Sequence, residues 1–142
     1  MSEFSGKVVI VTGSSSGIGE AIALRLGELG ASVVVNSANS VEAGKAVAAK
    51  IGANAIYVQA DISDKDAGQH LLEETIKNFG KLDILINNAG WTSLVAHHDL
   101  EALTDEIFQK TFAVNVWGTW ALTKAAMPLT TGAAAEVPAN HL

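Results

Sequence analysis

The stretch Val8-Val9-Ile10-Val11-Thr12-Gly13-Ser14-Ser15-Ser16-Gly17-Ile18-Gly19 decides the reading of this chain. Its first four residues form a short, continuous apolar run, the pattern of a strand buried on both faces. From Gly17 the spacing turns helical, with Ile18, Ile22, Leu26 and Leu29 on one face and Gly30 as a C-terminal stop. Three glycines sit at the junction. Gly13 allows a tight bend, Gly17 lets backbone approach an anion, and Gly19 permits close helix–sheet packing. The helix that follows offers unpaired N–H groups and a partial positive charge. The alternative, a Gly/Ser-rich connection with no ligand, is disfavoured by its place between a strand and a helix.

Working outward, the two periodicities keep alternating. Residues 33–35 read as a second buried strand, and Ser40 can cap a helix running to Gly52 with Val47 and Ile51 inside. Residues 55–58 form a third strand. Ser63 can cap the next helix, whose stripe of Leu72, Ile76 and Phe79 ends at Gly80, and residues 82–86 form a fourth strand. Thr104 opens a long helix reaching about Met127, where Pro128 discourages continuation. Strands alternating with helices over short connections imply right-handed βαβ crossovers and an α/β fold with a parallel sheet. The domain is expected over 1–128, with an irregular tail over 129–142.

Composition limits the possible functions. An apolar fraction of 49% against 17% charged excludes the disordered class. No apolar run reaches the ~18 residues of a membrane span, and the N-terminus lacks a signal-peptide pattern, so a cytoplasmic location is expected. With no cysteine, thiolate chemistry and Cys-based zinc sites are excluded. A net charge of −6, with basic residues scattered singly, argues against nucleic-acid binding. Any anionic ligand must be held mainly by backbone N–H groups.

The turn has the spacing T-G-x-x-x-G-x-G, and with it the sequence resembles the short-chain dehydrogenases/reductases. Asp61-Ile62 after the third strand, Asn87-Asn88-Ala89-Gly90 after the fourth, and Asn115 within Phe112-Ala113-Val114-Asn115-Val116-Trp117-Gly118 support the resemblance, in the family's order. It implies a Rossmann-like, doubly wound sheet, here truncated after about four strands. It also implies a nicotinamide cofactor whose phosphates are cradled by Thr12, Gly13, Ser15, Ser16, Gly17, Ile18 and Gly19. Asp61 would bond the adenine amino group beside Ile62, and Asn87, Ala89 and Gly90 would line the ribose. Asn115 would be the helix-kinking residue that positions a water in a catalytic proton relay. Taken alone, Asp61 reads equally as a turn or capping carboxylate.

A unit that binds NAD usually carries Asp or Glu near the end of its second strand, for the ribose 2′-hydroxyl. Here that place is held by Asn36-Ser37-Ala38-Asn39-Ser40. Nothing there repels a 2′-phosphate, and amide and hydroxyl donors are available, which favours NADP(H) over NAD(H). Against it, neither this loop nor the glycine turn holds Arg or Lys. The family's Tyr-x-x-x-Lys is not matched: the single tyrosine, Tyr57, falls in the third strand, and Asp61 follows four residues on. The expected activity is therefore that of an oxidoreductase acting on a small carbonyl or alcohol in full-length relatives, with this shorter chain inactive alone. The alternative is a non-catalytic nucleotide-binding or interaction module. His97-His98-Asp99 reads as a solvated loop cluster and not as a metal site, and Lys110 and Lys124 are expected to face solvent. Strand four left at an edge, with Trp117, Trp120 and Leu122 uncovered, points to self-association.

Overall fold

The computed structural model describes residues 2–137. Four strands, β1 (Val8–Val11), β2 (Ser32–Ser37), β3 (Ala55–Gln59) and β4 (Ile84–Ile86), form one parallel sheet in the order β3-β2-β1-β4. Between them run α1 (Gly17–Glu28), α2 (Val41–Ile51) and α3 (Lys65–Phe79). After β4 come a 3₁₀ turn (Leu100–Ala102), α4 (Asp105–Phe112), a π-helical turn (Ala113–Gly118) and α5 (Thr119–Thr130).

Strand alternation divides the apolar residues into two cores. Val9, Val11, Val33 and Val35 face α1 and α2, meeting Ala23, Leu26, Val47 and Ala48. Ile10, Val34 and Val58 face the other way, against Leu71 and Leu72 of α3 and Leu122, Ala126 and Leu129 of α5. This is why β1 and β2 read as unbroken apolar runs. The chain steps from β1 through β2 to β3, then returns across β1 to place β4 on its other side. The sheet is therefore doubly wound about a switch point between β1 and β4, the place where such sheets bind ligands. β4 is an edge, as expected, and is tied to its neighbour by Asp83, whose carboxylate accepts the Val8 N–H at 2.8 Å and pairs with Lys81 at 3.0 Å.

Several local expectations need correction. The buried face of α1 is Gly19, Ala23 and Leu26, while Ile18 is 76% exposed. The start of α1 lies so near the glycine turn that only small residues fit beneath it, which displaces Ile18 to the rim. Asp64, not Ser63, caps α3, accepting the N–H groups of Asp66 and Ala67 at 2.8 and 3.3 Å. Ser63 is already held by Asp61 Oδ1, through its N–H at 3.0 Å and its hydroxyl at 2.7 Å. The helix from Thr104 runs past Pro128 to Thr130, with a π turn in its middle. Leu122 is buried, whereas Trp117 and Trp120 are 66% and 59% exposed. Of the expected tail 129–142, the first residues close α5, Val137 packs against the core, and residues 138–142 lie outside the described residues. Among the described residues, no helix is long and apolar enough to cross a membrane.

Candidate functional site

At the switch point a cleft of about 350 Å³ opens over the C-terminal ends of the strands. Four segments line it: Gly13, Ser15 and Ser16 after β1; residues 36–40 after β2; Ala60, Asp61 and Ile62 after β3; and Asn88 to Trp91 after β4. Lys110 and Val114, from α4 and the π turn, complete the wall.

The glycine turn is built before any ligand arrives. Gly13 takes φ +62°, and a Cβ there would lie 2.8 Å from Ala89 Cα. At Gly19 an added Cβ would lie 2.5 Å from Gly13 O and press on the Asn88 amide. Gly17, at φ +58°, faces open space. Thr12 is buried, and its hydroxyl oxygen accepts N–H groups from Asn88 and Ala89, each at 3.0 Å. Asn88 returns its side-chain N–H groups to Thr12 O and Gly13 O, both at 3.0 Å. The ends of β1 and β4 are thus locked together.

On the outer side of the turn the donors are free. Among the described residues, no acceptor meets the N–H groups of Ser15, Ser16, Gly17, Ile18 or Gly19, and the Ser16 side chain makes no cap. An uncapped helix N-terminus facing a cleft has the donors and the dipole that an anion needs.

Asn36 does not stand where a ligand donor would. It is 1% exposed; its Nδ2 donates to Val58 O and Ala60 O, each at 3.1 Å, and its Oδ1 accepts the Gly13 N–H at 3.2 Å. Both amide hydrogens are consumed, which corrects the expectation that this side chain offers a bond to a 2′-phosphate. Ser37 is also engaged, its hydroxyl 2.6 Å from that of Tyr57. Tyr57 packs in the α1/α2 core, as expected of a structural tyrosine. The exposed donors at this end of the cleft come from Asn39 and Ser40.

Asp61 lines the cleft with Oδ1 occupied by Ser63, so it is a turn carboxylate with one oxygen left for a ligand. Ile62 is buried beneath. Ala89 and Gly90 line the cleft, but Asn87 lies outside it, donating to the Thr123 hydroxyl at 3.0 Å. Asn115 is not in the wall either. Its Oδ1 accepts the Trp91 N–H at 2.7 Å and its Nδ2 donates to Trp91 O at 2.8 Å, a two-point hold on the loop after β4. It sits in the π turn, where Gly118 makes the close approach, since a Cβ there would strike Ile62 O. His97, His98 and Asp99 are exposed, and no metal-binding cluster occurs among the described residues. Lys110 is exposed, as expected, and also lies over the Trp91 ring at 4.4 Å and borders the cleft.

The family model described as short chain dehydrogenase matches residues 7–137. Versicolorin reductase 1 of Aspergillus parasiticus is 48% identical over 116 residues, 80% of this chain and 43% of that protein. Versicolorin reductase stcU of Emericella nidulans is 45% identical over 116 residues, again covering 80% and 43%. Among solved structures, a 3-ketoacyl-(acyl-carrier-protein) reductase from Brucella melitensis complexed with NADH superposes with a TM-score of 0.84 at 35% identity, covering 89% of this chain and 51% of that one. The chain spans about half the length of these relatives. With residues 7–137 of the chain matched by the family model and its parallel, doubly wound sheet shared with solved reductases, the chain belongs to the short-chain dehydrogenases.

Proposed function

We propose that the cleft binds a nicotinamide dinucleotide and that these residues supply the cofactor half of an oxidoreductase acting on a carbonyl or alcohol. The observation that carries the reading is the row of unpaired N–H groups from Ser15 to Gly19, set at the switch point beside a glycine facing open space. Bound there, the cofactor supplies the hydride chemistry. The residues of this chain would do the rest of the holding. The turn takes the phosphates, Asp61 the adenine end through its remaining oxygen, and Ala89 and Gly90 the ribose side. Asn115 fixes the Trp91 loop through its Oδ1 and one of its two Nδ2 hydrogens, and the second hydrogen remains to hold a water of a proton relay.

NADP(H) is favoured over NAD(H), because residues 36–40 contain no carboxylate to repel a 2′-phosphate. With Asn36 and Ser37 committed, the donors for that phosphate are Asn39 and Ser40. The domain is proposed to occupy 1–128. These 142 residues contain no Tyr-x-x-x-Lys, so we expect cofactor binding without turnover from them alone. The open β4 edge and exposed Trp117 and Trp120 favour self-association. Titration with NADPH and NADH, read by nicotinamide fluorescence, tests the reading. Saturable binding of both, tighter for NADPH, is expected; no signal with either at millimolar concentration would overturn it.

A further inference from the structure

The cleft is short of positive charge, although the ligand proposed for it is a polyanion and the chain carries a net charge of −6. Among the described residues that line it, only Asp61 and Lys110 are charged, and Asp61 has the wrong sign for a phosphate. Lys110 reaches the wall from α4, far from the glycine turn in sequence. No ion pair to it occurs among the described residues, so its charge is not already cancelled. Among the described residues its specific contact is the face of Trp91, 4.4 Å from the ring centroid. Trp91 is itself positioned by the two Asn115 bonds to its backbone. The amine is therefore held at the cleft wall by a ring whose backbone is fixed, which reduces the freedom it would lose on pairing with an anion.

We propose that Lys110 is the cation that meets a phosphate of the bound dinucleotide, with Trp91 as its support and Asn115 as the residue that positions Trp91. The inference rests on the cofactor reading above and adds a binding residue to it. The phosphate belongs either to the pyrophosphate, common to both cofactors, or to the 2′-position, present only in NADPH. Both offer the same chemistry to an ammonium group, a compact charge that accepts no fixed geometry.

The test is calorimetric titration of the chain with NADPH and with NADH at about 50 mM and about 500 mM salt. The proteins compared are the unchanged chain, Lys110→Gln and Lys110→Arg. For a charge-assisted contact at an exposed wall we expect Lys110→Gln to weaken binding about three- to tenfold at low salt. The gap should shrink at high salt, and Lys110→Arg should restore most of it. Equal weakening for both cofactors assigns the pyrophosphate, and weakening for NADPH alone assigns the 2′-phosphate. If the unchanged chain binds and Lys110→Gln binds as tightly with the same salt dependence, the inference is overturned while the cofactor reading stands. Weakening that Lys110→Arg does not relieve and salt does not reduce also overturns it, because the lost contact is then not electrostatic. If the unchanged chain binds neither cofactor, the cofactor reading itself has failed and takes this inference with it.

Discussion

Position 36 is where a designer seeking NAD specificity would place an acid, since it follows the glycines at the distance of the ribose-binding carboxylate. The structure predicts that Asn36→Asp will damage the fold before it alters cofactor choice. The substitution conserves shape but replaces the donor Nδ2 with an oxygen. Two hydrogen bonds are lost, to Val58 O and Ala60 O, and a carboxylate oxygen is left facing both carbonyls at a site 1% exposed. Each bond contributes about 1 kcal/mol net, and an uncompensated buried charge costs about 3–5 kcal/mol. The retained Gly13 N–H bond to Oδ1 offsets part of this. A net loss of about 3 kcal/mol follows, a large share of the roughly 5–15 kcal/mol available to a domain. In urea, with a slope of about 1–3 kcal/mol per molar, the midpoint should fall by about 1–3 M at neutral pH. The pH dependence has a definite sign. Burial and the two carbonyls push the new carboxyl above the usual carboxylate range in the folded state. The folded form therefore keeps its proton where the unfolded chain has lost it, and the deficit grows as pH rises through that window. Asn36→Ala, which loses the bonds without adding charge, should show a smaller deficit of about 2 kcal/mol that does not change with pH. An Asn36→Asp midpoint within about 0.3 M of the parent, or a deficit equal at pH 4 and pH 8, would refute the reasoning.

Two further substitutions separate ligand binding from folding. Gly17→Ala meets open space at φ +58° and should cost about 1 kcal/mol in urea unfolding while abolishing most cofactor binding; Gly19→Ala, with its Cβ 2.5 Å from Gly13 O, should cost about 3 kcal/mol or more. Similar losses for the two would sink the distinction. Asp83 is pushed up by desolvation, but the Val8 N–H, the Lys81 hydrogen bond and the charges of Lys81 and Lys7 outweigh this and hold its carboxyl below the ordinary value. A depressed folded value stabilises above the unfolded one and is lost as pH falls through it. Asp83→Asn should therefore be less stable than the parent at pH 7, with the two curves converging in strong acid, as thermal unfolding across pH would record.

The parts of the fold that were legible in the sequence are those set by burial alone. β1 and β2 show as apolar runs because both faces of the sheet are covered, and Gly80 marks the end of α3 because it takes the left-handed conformation there. What escaped is set by direction. The alternation of β2 puts Asn36 on the face of Val34, toward the interior, and that period of two is present in the sequence. The role of Asn88 is not legible in the sequence, since nothing in the spacing shows which of two adjacent amides turns toward the glycine turn. Ser63 lost its capping role to Asp64 because a third residue, Asp61, had claimed it. Lys110 and Val114 are one helical turn apart and share a face. That spacing could have placed Lys110 beside the cleft only if the partner of that face had been known, and its partner is Trp91, nineteen residues away in sequence.

The polar groups around the glycine turn follow one physical pattern. On the inner side of the glycine turn every polar group is spent on the protein. Ser14 N–H donates to Asn36 O at 2.8 Å, Asn36 N–H to Ser14 Oγ at 3.0 Å, Gly13 N–H to Asn36 Oδ1, and Asn88 to Thr12 O and Gly13 O. On the outer side, from Ser15 to Gly19, none of the backbone N–H groups is spent among the described residues. Side-chain amides thus fix the turn so that backbone N–H groups can be left over for a ligand. Little ordering then remains to be done on binding, which lowers its entropic cost. It also accounts for how the proposed anion could be held by a cleft with one cation in its wall among the described residues. The attraction comes from neutral dipoles already aimed, and a lone lysine adds to it without having to carry it.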